Sequence, residues 1–121
     1  MTLSACDVEA SAEFYRRLGL TQIVASYPTY ARFLSPEGEA TISLHHDPDA
    51  PGGASIHFEV EDVDLTVGRL RGRGIEIVCE PVDQPWLWRE ATLSDPDGNR
   101  IFVYHAGKNR LDPPWRLPED R

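Results

Sequence analysis

The sequence predicts an α+β fold: two tandem βαβββ units forming a curved mixed sheet, with the helices on its convex side. Three observations carry this. The stretch DVEASAEFYRRLGLTQIV, starting at Asp7, meets DVDLTVGRLRGRGIEIVC, starting at Asp62, without a gap after a shift of 55 residues (62 − 7). Asp7 falls on Asp62, Val8 on Val63, Arg16 on Arg71 and Gly19 on Gly74. Next, each copy opens with a helix-capping Asp and closes its helix at a Gly. Finally, the segments around these helices alternate apolar and polar residues, the signature of half-buried strands.

The elements follow in order. Leu3 and Ala5 alternate with Ser4 and Cys6 as a short strand. Asp7 accepts from the free N–H groups of a helix that carries Val8, Ala12, Tyr15 and Leu18 at helical spacing, and Gly19 suits the left-handed stop. Leu20 to Ser26 reads as a strand that Pro28 breaks. Tyr30 to Leu34 and Ala40 to Leu44 form a hairpin around Pro36-Glu37-Gly38. In the second unit, Ile56, Phe58 and Val60 alternate with Ser55, His57 and Glu59. Asp62 caps a helix with Val63, Val67 and Leu70, ending near Gly74. Ile75 to Cys79, Arg89 to Ser94 and Ile101 to Tyr104 are strands. Ser35-Pro36-Glu37-Gly38 is echoed by Asp95-Pro96-Asp97-Gly98, now 60 residues on (95 − 35), so the second unit is about five residues longer, in the region of Trp86 and Trp88. The units span roughly 1–50 and 52–106 of a single domain, 1–121. The tail 107–121, with three prolines and no clean period, is expected to be extended.

Composition narrows the function classes. At 121 residues and 13.6 kDa the chain suits one compact domain with its own core. The net charge of −8 disfavours nucleic acid, whose binding rests on neutralising phosphates, and is compatible with a cationic ligand. No apolar run of about 18 residues is present, and MTLSACDVEAS has no basic or long apolar region, so neither a membrane span nor a signal peptide is expected. Cys6 and Cys79 have no partnered spacing and read as free thiols in a reducing cytoplasm. Cys6 just precedes the Asp7 cap, where a thiol can be activated, but a small wall residue is the plainer reading.

Strand parity sorts the side chains. Leu3, Ala5, Ile42, Leu44, Ile56, Phe58, Val60, Ile101 and Val103 should face the helices. Ser4, Cys6, Thr41, Ser43, His45, Ser55, His57, Glu59, Phe102 and Tyr104 should face the cavity. That polar and aromatic face suits a hydrogen-bonded organic ligand stacked on rings. His45, His57 and Glu59 are the residue types of a facial metal site, though His45 must reach across from the other unit. The plainer reading is that His57 hydrogen-bonds a neighbour and Glu59 is solvated. A Ser55–His57 nucleophile lacks an orienting third group.

Two βαβββ units, "FYRRLGL" closing the first helix and "DPDGNRI" in the last hairpin together resemble the vicinal-oxygen-chelate superfamily of glyoxalases, bleomycin-resistance proteins and extradiol dioxygenases. Gln84-Pro85-Trp86, Arg89-Glu90 and Asp95-Pro96-Asp97-Gly98-Asn99 resemble its bleomycin-resistance branch. The resemblance implies four metal ligands in metal-dependent members, and each can be placed on this chain. The first falls seven residues before Asp7, at position 0; the others fall at Ser43, Ser55 and Phe102. Serine is a weak ligand and phenylalanine none, so the resemblance argues against the usual metal, and no cofactor is expected. It also implies a groove between the subunits of a homodimer, lined by aromatics from the region of Trp86 and Trp88. Trp115, in the tail, is read as a local staple.

The leading expectation is a non-catalytic protein that sequesters a small aromatic or cationic compound in a dimer groove. Ser43, His45, Ser55, His57, Glu59, Trp86, Trp88, Phe102 and Tyr104 would contact it. The alternatives are a metal-dependent lyase, isomerase or dioxygenase with displaced ligands His45, His57 and Glu59, and a structural or regulatory domain with a vestigial pocket.

Overall fold

The computed structural model describes residues 1–36, 40–49 and 53–118. Its elements run β1 (Thr2–Ala5), α1 (Val8–Leu18), β2 (Thr21–Ser26), β3 (Tyr30–Leu34), β4 (Thr41–His46), β5 (Ser55–Glu59), α2 (Val63–Gly72), β6 (Ile77–Asp83), β7 (Arg89–Ser94), β8 (Arg100–His105) and a short 3-10 helix at Gly107–Arg110. Two βαβββ units are therefore present, as the repeat requires. Hydrogen bonding divides the strands into two four-stranded mixed sheets, ordered β1-β4-β3-β2 and β5-β8-β7-β6. In each, the first strand of the unit lies parallel to the last, and the other pairs are antiparallel.

The two helices begin alike. Asp7 Oδ1 accepts from Ala10 N–H at 3.1 Å, and Asp62 Oδ1 accepts from Leu65 N–H at 3.0 Å. Each bond satisfies a donor that a helix N-terminus leaves free. Gly19 ends α1 at φ 112°, a left-handed conformation that a side chain resists. The parity reading holds on the helix side: Leu3, Ala5, Ile42, Leu44, Ile56, Ile101 and Val103 are buried in one core, with Phe58 and Val60 packed against it. That core is continuous across both units.

A polar contact ties the units together. Tyr15, fully buried on α1, donates its hydroxyl to Asp95 Oδ2 at 2.6 Å. Asp95 Oδ1 accepts from the N–H groups of Asp97 and Asn99, and Asn99 Nδ2 donates to Asp95 Oδ2. Asn99 Oδ1 in turn accepts from Ala54 N–H, at the start of the second unit. Asp97 reaches back to the first unit, accepting from Cys6 N–H at 2.8 Å and from the Ser11 hydroxyl at 2.7 Å. The DPDGN stretch is thus a turn and an inter-unit clasp together. Burial and the Asp95 carboxylate push the Tyr15 phenol far up, so it stays a neutral donor. The matching first-unit turn, Pro36-Glu37-Gly38, lies largely outside the described residues.

Two elements differ from the sequence reading. Strand β6 runs on to Asp83, with irregular register between Cys79 and Val82. Pro81 is accommodated because β6 is an edge strand, where a missing N–H breaks no ladder. The tail is not wholly extended. Glu59 Oε2 accepts from the N–H groups of Ala106 and Gly107 at 2.9 and 3.0 Å, which organises the 3-10 helix behind them.

The tryptophan stretch is the loop of the β6–β7 hairpin. Gln84 C=O accepts from Leu87 N–H at 3.0 Å, and Trp88 C=O accepts from Gln84 N–H at 2.7 Å. Leu87 has φ 68° and is 47% exposed, so an apolar side chain occupies a position where glycine is the usual residue.

Two stability outcomes follow. Tyr15→Phe, which keeps the ring and removes the donor to Asp95, should cost about 1.5–3 kcal/mol in denaturant unfolding, the range for hydrogen bonds to charged groups. Leu87→Gly should raise stability or leave it level, within about 1 kcal/mol, because released left-handed strain offsets the greater freedom of the unfolded glycine. A loss above that range would show that the Leu87 side chain is a packing contact.

Candidate functional site

The helices cover one face of each sheet, and the opposite faces carry the remaining side chains. On the second sheet, cross-strand register places His57 opposite Phe102, Glu59 opposite Tyr104, Glu90 opposite Tyr104 and Thr92 opposite Phe102. These side chains share the open face, because Ala91, Leu93, Ile101 and Val103 take the helix side.

The rings form a continuous row. His57 stacks on Phe102 with centroids 4.4 Å apart and planes 8° from parallel. It meets Tyr104 edge-on at 5.9 Å. Tyr104 stacks under Trp88 at 4.5 Å and 16°. Trp88 reaches this row because the hairpin loop turns back at Leu87 just before it. A cleft of about 630 Å³ opens between that loop, at Gln84, Leu87 and Trp88, and the 3-10 helix, at Gly107, Lys108 and Asn109. Burial and the Glu59 charge push the Tyr104 phenol up, against the pull of Arg110.

Glu90 is the notable neighbour. It is 8% exposed and forms no hydrogen bond with any described residue. Burial pushes its carboxyl above the ordinary value, and the nearby His57 offsets this only in part. In the sequence, Glu90 stands out only through the Arg89-Glu90 pair. The available signal was parity: Glu90 and Thr92 alternate with Ala91 and Leu93.

The expected contact residues are dispersed in part. His57, Phe102, Tyr104 and Trp88 come together. Trp86 stands apart, 43% exposed at the tip of the loop. Ser55 lies at the start of β5 opposite Arg100, and no hydrogen bond joins it to His57, whose ring lies flat on Phe102. Ser43 and His45 belong to the first sheet, where Ser43 Oγ lies 2.7 Å from the Tyr30 hydroxyl. Glu59 is engaged through both oxygens: Oε2 caps the 3-10 helix and Oε1 lies 3.2 Å from Arg110 Nε. Burial opposes its ionisation, but the N–H groups of Ala106 and Gly107, with Arg110, hold its carboxyl below the ordinary value. His105 donates from Nδ1 to Val60 C=O at 2.8 Å. Cys6 is exposed, with Sγ 3.5 Å from Pro48 C=O.

Metal chemistry needs a donor set. Among the described residues, no three His, Cys, Asp or Glu side chains gather closely enough to hold an ion, so His45, His57 and Glu59 do not form one site. At the positions the resemblance assigns to ligands, Ser43 bonds Tyr30 and Phe102 stacks on His57. These residues do not fit a divalent metal. Among the described residues, no helix is long and apolar enough to cross a membrane.

Known proteins resemble this chain in sequence and in fold. It is 32% identical to the anthracycline biosynthesis protein DnrV of Streptomyces peucetius over 125 residues, covering 87% of this chain and 45% of DnrV. It thus spans about half the length of that relative. It is 33% identical to YraH of Bacillus subtilis over 114 residues, covering 81% of this chain and 89% of YraH. A glyoxalase/bleomycin resistance protein/dioxygenase from Nocardioides superposes with TM-score 0.77 at 26% identity, covering 98% of this chain and 87% of that one. A bleomycin-binding protein complexed with bleomycin shares the fold, with TM-score 0.72 at 21% identity over 88% of this chain and 95% of that one. The model of the Glyoxalase/Bleomycin resistance protein/Dioxygenase superfamily matches residues 1–103, and with the paired βαβββ units this shows that the chain belongs to that superfamily.

Proposed function

We propose that the protein binds a small planar aromatic compound carrying a cationic or N–H donor group, without transforming it, on the open face of the second sheet. The observation that carries this reading is the row Phe102–His57–Tyr104–Trp88 with Glu90 beside it, a side chain 8% exposed that forms no hydrogen bond with a described residue. Aromatic side chains in such a row offer apolar faces and edges against which a planar ring can pack. A carboxyl whose burial disfavours its charged form gains from an amine or ammonium on the ligand, which donates to it and balances its charge. The net charge of −8 favours the approach of such a cation. The likeness to a protein of anthracycline biosynthesis supports a planar aromatic ligand. A second copy of the chain would close the groove over this face as a homodimer, since the exposed loop around Trp86 and Leu87 is left uncovered by the chain itself.

Titration calorimetry with doxorubicin, a planar ring system bearing one amine, tests the reading. Binding in the micromolar range is expected, and Trp88→Ala should weaken it about tenfold, equivalent to ~1.4 kcal/mol. Absence of binding below millimolar concentration would overturn the proposal.

Glu90→Gln separates fold from function. A carboxyl raised in the folded state contributes most below its unfolded pKa, and that contribution is lost as pH rises through the folded pKa. The variant should therefore melt higher than the parent at neutral pH. The advantage should shrink as pH falls into the ordinary carboxylate range, while doxorubicin binding weakens at neutral pH. A lower melting temperature at neutral pH would show that Glu90 is already satisfied.

A further inference from the structure

The first sheet carries a cluster that the aromatic row does not use. Tyr30 and Arg32 stand two apart on β3, which lies between β4 and β2, so both project from the open face. Arg32 Nε donates to the Tyr30 hydroxyl at 2.8 Å, and its Cζ lies 5.4 Å from the Tyr30 ring centroid. Ser43 sits opposite Arg32 on β4, 7% exposed, with Oγ 2.7 Å from the same Tyr30 oxygen. His45 stands opposite Tyr30, Ser4 opposite His45, Thr2 opposite Ser43 and Val24 opposite Arg32. None of the four strands carries an Asp or Glu, in a chain that has 20 of them.

Arg32, like Arg69, Arg73 and Arg100, forms no ion pair with a described residue, but it alone among these four is hydrogen-bonded to a phenol on an open sheet face whose strands carry no acid. Its Nε is tied to a phenol, and no described residue accepts from its two terminal nitrogens, which can take the two oxygens of a carboxylate side by side. The surroundings also tolerate negative charge on oxygen. The Ser43 hydroxyl and the Arg32 guanidinium together hold the Tyr30 phenol below its ordinary value. Groups that stabilise a phenolate oxygen serve a ligand oxygen in the same way.

We propose that Arg32, Tyr30 and Ser43 form a carboxylate-binding site on the open face of the first sheet. The terminal guanidinium nitrogens take the two carboxylate oxygens as a fork. Tyr30 and Ser43 hold the guanidinium in place and present a hydroxyl at its flank, and His45 borders the site. This assignment stands on a different sheet from the aromatic row and does not rest on it.

Benzoate and benzamide, which share a ring and differ in charge, provide the test on the intact protein. Tyrosinate absorbance is followed against pH, and the step that disappears in Tyr30→Phe is assigned to Tyr30. Saturating benzoate should raise that midpoint, because a bound anion disfavours a second negative charge beside it. Benzamide should leave it in place. Arg32→Gln, at an exposed position that spares the core, should weaken benzoate binding at least tenfold. A Tyr30 midpoint unmoved by saturating benzoate would mean the guanidinium is already held, for example by a second copy of the chain, and would overturn the assignment. Unchanged benzoate affinity in Arg32→Gln would overturn it too, as would a response to inorganic phosphate where benzoate gives none. Because the readout is Tyr30 ionisation, failure of doxorubicin to bind the other sheet leaves this result unaffected.

Discussion

The hydrogen bond from Tyr15 to Asp95 is the constraint on which the arrangement of the two units depends. A buried carboxylate without donors would cost several kcal/mol. Here its two oxygens receive the Tyr15 hydroxyl, the N–H groups of Asp97 and Asn99, and the Asn99 side-chain amide. Three of those donors come from the turn and one comes from the opposite unit. The turn therefore reaches its full complement only when α1 is docked. Asp97 adds two more bonds to the first unit, through Cys6 and Ser11. Apolar burial between the units is non-directional, whereas these bonds require one register of helix against turn.

With the helix faces locked together, the open faces become the surfaces free to diverge. The two copies have done so in opposite senses. The first sheet bears Arg32, His45 and small hydroxyls, with no acidic residue in its strands. The second bears stacked rings together with Glu59 and Glu90. One fold thus presents two chemistries, in keeping with functions residing in sites carried by a common scaffold. Glu59 shows that position on an open face does not make a residue available. Its carboxylate is consumed in ordering the chain beyond β8, and this in turn puts a wall on the cleft beside Trp88.

Much of the fold was legible in the sequence because its signals are local or periodic. The caps at Asp7 and Asp62, the stop at Gly19 and the inward faces of β1, β4, β5 and β8 each depend on a few neighbouring residues. The site was legible less completely. Parity put His57, Phe102 and Tyr104 on one face, but the stacking of Trp88 on Tyr104 needed the backward turn at Leu87. Glu90 and Arg32 were open to the same parity reasoning. Their significance lies in partners they have or lack, and partners are not a property of sequence spacing. From the sequence Glu59 looks solvated or metal-binding, because its actual partners lie 47 and 48 residues away in a tail without periodicity.

By itself the sequence determined a duplicated βαβββ architecture, one core and the residues facing it, since helix and strand periods are set by backbone geometry that every residue shares. It also determined that the family's metal-ligand positions hold Ser43, Ser55 and Phe102, because ligand chemistry belongs to the residue type. Only the tertiary structure decided that DPDGN clasps the two units, that Glu59 is spent on the tail, and that, among the described residues, Glu90 has no hydrogen-bond partner and Arg32 no ion pair, on different sheets. Those outcomes are set by distances between residues far apart in the chain, and electrostatic and hydrogen-bond energies depend on such distances far more steeply than on local pattern.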